Sequence, residues 1–181
     1  MIYLIRHGEP SAGWGDHLDP GLSEKGLQQA EAAAETLARA GAKRAVTSPL
    51  ARCRETARPF EKRIETHARI EPGVGEVRTP AGIGPEDRAG WLKGVMAGRW
   101  AEAGADLDAW RRAGLAALEQ MPDDTAVFSH FVAINSLIGL LTGDDRVVIF
   151  RPSHCSITRL VRKGGKLAVA ELGSEGALAA L

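Results

Sequence analysis

The sequence predicts an α/β protein: a three-layer α/β/α sandwich whose central sheet is mainly parallel and carries an antiparallel edge. Three observations predict it. Ile2-Tyr3-Leu4-Ile5 and Thr125-Ala126-Val127-Phe128-Ser129 are continuous runs of the kind found in strands buried on both faces. Strand-like runs alternate with helical periodicity through most of the chain, the pattern of a parallel sheet covered by helices on both sides. Near the C-terminus, Ser156 to Arg162 and Leu167 to Leu172 flank Lys163-Gly164-Gly165-Lys166, a two-strand hairpin with its turn.

Taken in order, the first strand ends at Arg6-His7, where Gly8 allows a turn and Pro10 stops ladder pairing. Ser11 to Pro20 reads as a loop. Ser23 is an N-cap, after which Leu27, Ala30, Ala34, Leu37 and Ala38 recur at helical spacing until Gly41. Ala45-Val46-Thr47 makes a second strand. Ser48-Pro49 predicts a helix start, an N-cap hydroxyl with proline in the first turn, and Pro59 should end or kink that helix. His67 to Glu71 reads as a short strand. Pro72 to Pro85 is so rich in glycine and proline that it must be a loop. Helices are expected from Glu86 to Ala103, from Asp106 to Met121 and from Val132 to Leu141, with a further strand over Val147 to Phe150. Trp91, Trp100 and Trp110 are expected to anchor helices to the core.

The chain has 181 residues, enough for one domain (1–181) with its own core and no disulfide or metal to support it. Lys and Arg number 23, and so do Asp and Glu. That balance argues against a nucleic-acid footprint or a polybasic membrane patch. Cys53 and Cys155 stand in unlike contexts with no framework spacing, so both are expected as reduced thiols. The apolar start is too short for a signal peptide, and the apolar stretch from Phe131 to Leu141 is interrupted by Asn135, Ser136 and Gly139. The expectation is a cytoplasmic protein with no membrane or nucleic-acid partner.

Parallel strands share a C-terminal edge, so Arg6-His7, the segment Ser48 to Arg52 and His130 should arrive at one rim, where α/β folds bind their ligands. Arg52 would lie near a helix N-terminus, where free amides and the dipole favour an anion. A metal on His7 and His130 would face two arginine charges in the same pocket. A phosphoryl group is the better guest, because a guanidinium fork binds its oxygens in pairs.

Arg6-His7-Gly8-Glu9 resembles the signature of the histidine phosphatase superfamily, the phosphoglycerate mutase-like group. Asp19-Pro20-Gly21-Leu22-Ser23, with Gly26 and Gln29-Ala30, is similar to that family's next segment. Ser48-Pro49-Leu50, Arg52 and Thr56-Ala57 resemble its second motif, and Ser129-His130 its last. The likeness runs from Met1 to about Thr158, with residues 72–104 as a variable lid region. It implies a metal-independent phosphomonoester hydrolase of the phosphatase branch that needs no cofactor. His7 would attack phosphorus to give a phosphohistidine, while Arg6, Arg52 and His130 bind the phosphoryl oxygens. Glu76, in the loop after the third strand, would protonate the leaving group, with Glu86 as the fallback. The substrate expected is a phosphorylated small molecule.

The sequence departs from the family pattern at three places. Gly13 stands where many relatives have a phosphate-binding asparagine, Phe131 where glycine usually follows the second histidine, and Gly104-Ala105-Asp106 where many have Gly-Glu-Ser. Other readings therefore stay open: a mutase-type phosphoryl transferase, a phosphoprotein phosphatase, or a non-catalytic phosphate-binding module. Glu9 is expected to orient neighbours, His17 to sit in the loop facing the pocket mouth, and His67 and His154 to be structural. Cys53 should point away from the pocket, and the Cys-x5-Arg signature of cysteine phosphatases is absent.

Overall fold

The computed structural model describes residues 1–12, 19–84 and 86–176. Six strands form one sheet: β1 (Ile2–Arg6), β2 (Arg44–Thr47), β3 (Arg69–Ile70), β4 (Thr125–Ser129), β5 (Ile157–Lys163) and β6 (Lys166–Glu171), in the spatial order β3-β2-β4-β1-β5-β6. β1 and β2 flank β4 in parallel, and β3 continues the parallel set. β5 runs antiparallel to β1, and β6 to β5, giving the antiparallel edge. Gly164 and Gly165 both take positive φ, 58° and 81°, as the tight hairpin turn between β5 and β6 requires.

Alternation along β1 builds the two faces. Ile2 and Leu4 join Val46, Val127 and Leu160 against Leu118 of α4 (Ala105–Glu119) and Ile134, Leu137 and Ile138 of α5 (Phe131–Thr142). Tyr3 and Ile5 join Ala45, Ala126 and Phe128 on the other face. There they meet Ala34 and Leu37 of α1 (Glu24–Arg39) and Cys53, Ala57 and Phe60 of α2 (Ala51–Ile64). Small residues on α1 let it lie close, and Ser23 caps it as expected, its Oγ accepting from Gly26 N. A third apolar group, Val77, Leu92, Trp100, Leu107, Val132 and Val147, seats α3 (Arg88–Ala97) on the end of the sandwich. Trp91 and Trp110 pack on it, and Trp100 is buried within it, so the tryptophans do anchor helices.

Several expectations are corrected. Pro59 does not end α2, which continues to Ile64. The buried face Cys53, Thr56, Ala57, Phe60 holds the helix on the sheet, and packing outweighs one missing backbone bond. α2 begins at Ala51 rather than behind a Ser48 cap, and Asp19 accepts from Ala51 N instead, at 2.9 and 3.1 Å. Val147 to Phe150 is not a strand. The amides of Ile149 and Phe150 donate to Asn135 Oδ1 (2.8 and 3.1 Å), so a side chain of α5 takes the place of a ladder partner. The helix expected over 86–103 is cut at Gly98, and Trp100–Glu102 follow as one 3-10 turn. The strand expected over 67–71 shrinks to Arg69–Ile70.

One close approach fixes the end of β1. A Cβ on Gly8 would lie 2.7 Å from Gly26 O, and a Cβ on Gly26 would lie 2.2 Å from Glu9 O. The first turn of α1 therefore presses directly on the backbone that follows Arg6-His7. Alanine within a helix normally stabilises relative to glycine by about 1 kcal/mol. Gly26→Ala should reverse that sign and destabilise by about 1–3 kcal/mol, as overpacking does. Urea unfolding of the variant beside wild type measures it, and a stabilised variant would contradict this contact.

Candidate active site

The parallel register delivers the residues together. Arg6 pairs with Ser129 and Thr47 with Phe128, so His7, Ser48 and His130 all leave the sheet at the same rim. Two further bonds extend the ladder past the strand ends, His7 N to Ser129 O and Ser48 N to Phe128 O, each 3.0 Å. His7 is almost wholly buried and His130 fully so, with ring centroids 5.3 Å apart in an edge-to-face arrangement.

His7 Nδ1 lies 2.8 Å from Gly8 O. A carbonyl can only accept, so Nδ1 carries the proton and Nε2 keeps its lone pair. Burial, then Arg52 and Arg6, hold the imidazole well below its usual range, in the neutral form. Arg52 comes from the first turn of α2, with its Nη1 3.8 Å from Asp19 Oδ1. Arg6 donates from Nη1 to Pro152 O at 2.8 Å, while its buried Nε has no hydrogen-bond partner among the described residues. Burial pulls Arg6 down to about 10, and Arg52 acts in the same direction against the opposing pull of Glu76. Among the described residues, no group of three or more His, Cys, Asp or Glu is placed to hold a metal ion.

Glu76 is buried in the segment after a 3-10 turn at Pro72–Val74. Ser129 Oγ ties that turn to β4 by donating to Val74 O at 2.7 Å. The Glu76 carboxyl faces the N-terminus of α5: Oε1 accepts from Val77 N (2.9 Å) and Ala133 N (3.2 Å), and Oε2 from Val132 N at 3.3 Å. Burial nevertheless raises its affinity for a proton, outweighing those amides and Arg52. Glu86, the fallback, is exposed in the turn before α3.

The structure also gives contacts to residues for which the sequence assigned no such role. Ser48 Oγ accepts from Leu50 N (3.3 Å) and meets His130 Nε2 at 2.7 Å. Cys53 does not point away from the site; its sulfur lies 3.3 Å from His130 Nε2 and donates to Ser129 O at 3.3 Å. Burial pushes that thiol far up, so it packs behind His130 as a neutral group. Thr56 accepts from Gly8 N (3.0 Å) and donates to Arg52 O (2.6 Å), joining the first motif to the second. A hydroxyl one helical turn after Arg52 was the available signal for that tie.

Phe131 is the first residue of α5, behind His130 as its extended N-cap, and the Phe131 ring lies under the Arg6 guanidinium, 5.2 Å from centroid to carbon. Glu9 orients neighbours, accepting from Ser23 Oγ and Lys25 Nζ at 2.9 Å each. His67 is exposed, whereas His154, expected to be structural, stands beside His7 with ring centroids 5.8 Å apart. Gly13 and His17 lie outside the described residues.

Solved structures share this fold. A phosphoserine phosphatase from Entamoeba histolytica, in complex with 3-phosphoglyceric acid, aligns with a TM-score of 0.73 at 20% identity, over 96% of each chain. A mycobacterial protein described as hydrolase 1 gives 0.72 at 20% identity, over 97% of this chain and 99% of its own. A mycobacterial glucosyl-3-phosphoglycerate phosphatase complexed with VO3 gives 0.71 at 23% identity, over 96% and 98%. Among curated proteins, none matches the sequence significantly. The model of the histidine phosphatase superfamily, branch 1, matches residues 2–175. With the Arg-His-Gly-Glu turn, the paired arginines and the second histidine on one rim, the match spans nearly the whole sequence: the chain belongs to branch 1 of the histidine phosphatase superfamily.

Proposed function

We propose that this member of the family is a metal-independent phosphomonoester hydrolase working through a phosphohistidine on His7. One observation carries the reading: a buried, neutral imidazole with Nδ1 committed to Gly8 O and Nε2 free, beside two guanidiniums. That is a nucleophile next to an anion site. The Nε2 lone pair attacks phosphorus in line, the phosphorus–oxygen ester bond breaks, and the leaving oxygen takes a proton from Glu76. Water then attacks the phosphohistidine, Glu76 accepts its proton, and the phosphorus–nitrogen bond breaks to release phosphate and neutral His7.

The supporting groups divide the work by position. Arg6 and Arg52 neutralise the equatorial oxygens, a task of positioning and charge. Ser48 Oγ, 2.7 Å from His130 Nε2, fixes the ring of the second histidine beside His7, where it meets a phosphoryl oxygen. Glu76 Oε2, with only its 3.3 Å bond, is the oxygen best placed to carry the transferable proton. The segment after the 3-10 turn at Pro72–Val74 holds Glu76 where it can meet the leaving group. The substrate class is a phosphorylated small molecule, in keeping with the phosphatases among its structural relatives.

Three experiments test this. Quenching wild type with ³²P-labelled aryl phosphate, without acid, should trap label on His7, and His7→Ala should lose both label and turnover while still folding. Label on Cys53 or a serine would overturn the mechanism, and wild type that binds phosphate without turnover would make the protein a binding module. Activity should survive exhaustive chelation, and vanadate, which mimics the five-coordinate transition state, should inhibit strongly. Loss on chelation restored by zinc or magnesium would refute metal independence.

The general acid is tested by the leaving group. An alkyl phosphate expels a basic alkoxide, so Glu76→Gln should lower its turnover by about a hundredfold to ten-thousandfold. A nitrophenyl ester should lose distinctly less at the phosphorylation step, and Glu86→Gln should change neither. The pH profile has a definite sign. Because His7 is held neutral, the acid limb should fall well below the ordinary histidine range. Because the acid is needed protonated, alkyl-ester turnover should decline as pH rises through the raised Glu76 range, and Glu76→Gln should abolish that limb. The opposite pattern in the two variants would assign the acid to Glu86.

A further inference from the structure

His154 is held against the site from both sides. Before it, Pro152 O accepts from Arg6 Nη1 at 2.8 Å. After it, the amide of Cys155 donates to Arg6 O at 3.0 Å and reaches His7 O at 3.4 Å. Cys155 also takes a left-handed φ of 58°, which a non-glycine residue keeps only where its surroundings impose it. The position of the imidazole is therefore tied to Arg6 and His7 by backbone bonds rather than by a mobile loop.

The ring itself is uncommitted. Among the described residues neither of its nitrogens has a hydrogen-bond partner, although the ring is more than half covered and tilts 41° against that of His7. The charged groups around it are Arg6 at the end of β1, Glu9 in the following turn and Lys25 in the first turn of α1. Burial foremost, then Arg6 and Lys25, bring its proton affinity down to about 4 against the opposing pull of Glu9, so it stands as the neutral base with one N–H to donate. A 5.8 Å separation of ring centroids puts the two imidazoles within reach of different oxygens of one phosphoryl group.

We infer that His154 is a further phosphoryl-binding residue of this site, its ring N–H donating to a non-bridging oxygen of a phosphoryl group held at His7. The inference rests on the phosphatase reading above and adds a donor from the loop before β5 to those from β1, α2 and the end of β4. It also assigns a ligand to an imidazole beside the nucleophile that has no hydrogen-bond partner among the described residues.

Binding without turnover separates the two readings. Inorganic phosphate and vanadate would be titrated calorimetrically into wild type, His154→Ala, His154→Phe and His154→Asn, with aryl-phosphate kinetics run in parallel. A hydrogen bond to an anion accounts for about tenfold to a hundredfold in affinity. Ala and Phe should therefore weaken both ligands by about that factor, and Asn, which restores a donor, should recover part of it. In wild type labelled with ¹⁵N-histidine, the His154 ring resonances should shift on adding phosphate. Affinities within twofold of wild type for both Ala and Phe, or a Phe variant that matches wild type while Ala falls, would overturn the inference. The second outcome would make His154 a packing residue. Wild type that neither binds phosphate nor turns over the ester would overturn the phosphatase reading itself.

Discussion

Arg6 and Arg52 share one buried rim, and the repulsion between them is the constraint around which the rest of the site is arranged. Burial first, and Arg52 and Arg6 after it, hold His7 and His130 in the neutral state. Positive charge gathered in a low dielectric destabilises the empty site and makes an anion its natural complement. The carboxylates nearby only moderate it. Asp19 is 3.8 Å from Arg52 but also caps α2, and Glu76 is turned toward the amides of α5.

Keeping such a cluster in place falls to groups that carry no charge. Gly8 and Gly26 allow α1 to press on the turn after β1, and Thr56 bonds both Gly8 N and Arg52 O. Ser48 and Cys53 enclose His130, so this histidine is fixed by a hydroxyl and a thiol rather than by an acid. A carboxylate there would raise the basicity of His130 and favour its charged form; neutral partners leave it a directional donor. Phe131 contributes in the same way, giving the Arg6 guanidinium an aromatic face where its Nε has no acceptor among the described residues.

The segment before α4 joins this rim to the rest of the molecule. Val77 and Val132 are buried in the apolar group that also holds Leu92 and Trp100, so the residue after Glu76 is anchored in the same packing as α3. Ser129 ties the preceding 3-10 turn to β4. The carboxyl is therefore fixed from both sides on the rigid end of the sheet. Rigid support of this kind is what a group needs if it must meet a leaving oxygen at hydrogen-bond distance.

Where local chemistry decides structure, the sequence was sufficient. The buried runs of β1 and β4, the Ser23 cap, the Gly-Gly hairpin turn and the alternation of strands with helices all follow from neighbours within a few residues. The meeting of Arg6, His7, Arg52 and His130 follows from parallel topology, and the family signature pointed to Glu76. Tertiary structure alone decided the rest. Pro59 stays inside a helix because a distant sheet holds its buried face, and Val147 to Phe150 forms no strand because Asn135 takes its amides. Cys53 and His154 reach the site through contacts 77 and 147 positions apart in the chain. Propensity and periodicity describe what a residue prefers among its neighbours, whereas these roles depend on which groups the closed sheet leaves within bonding distance.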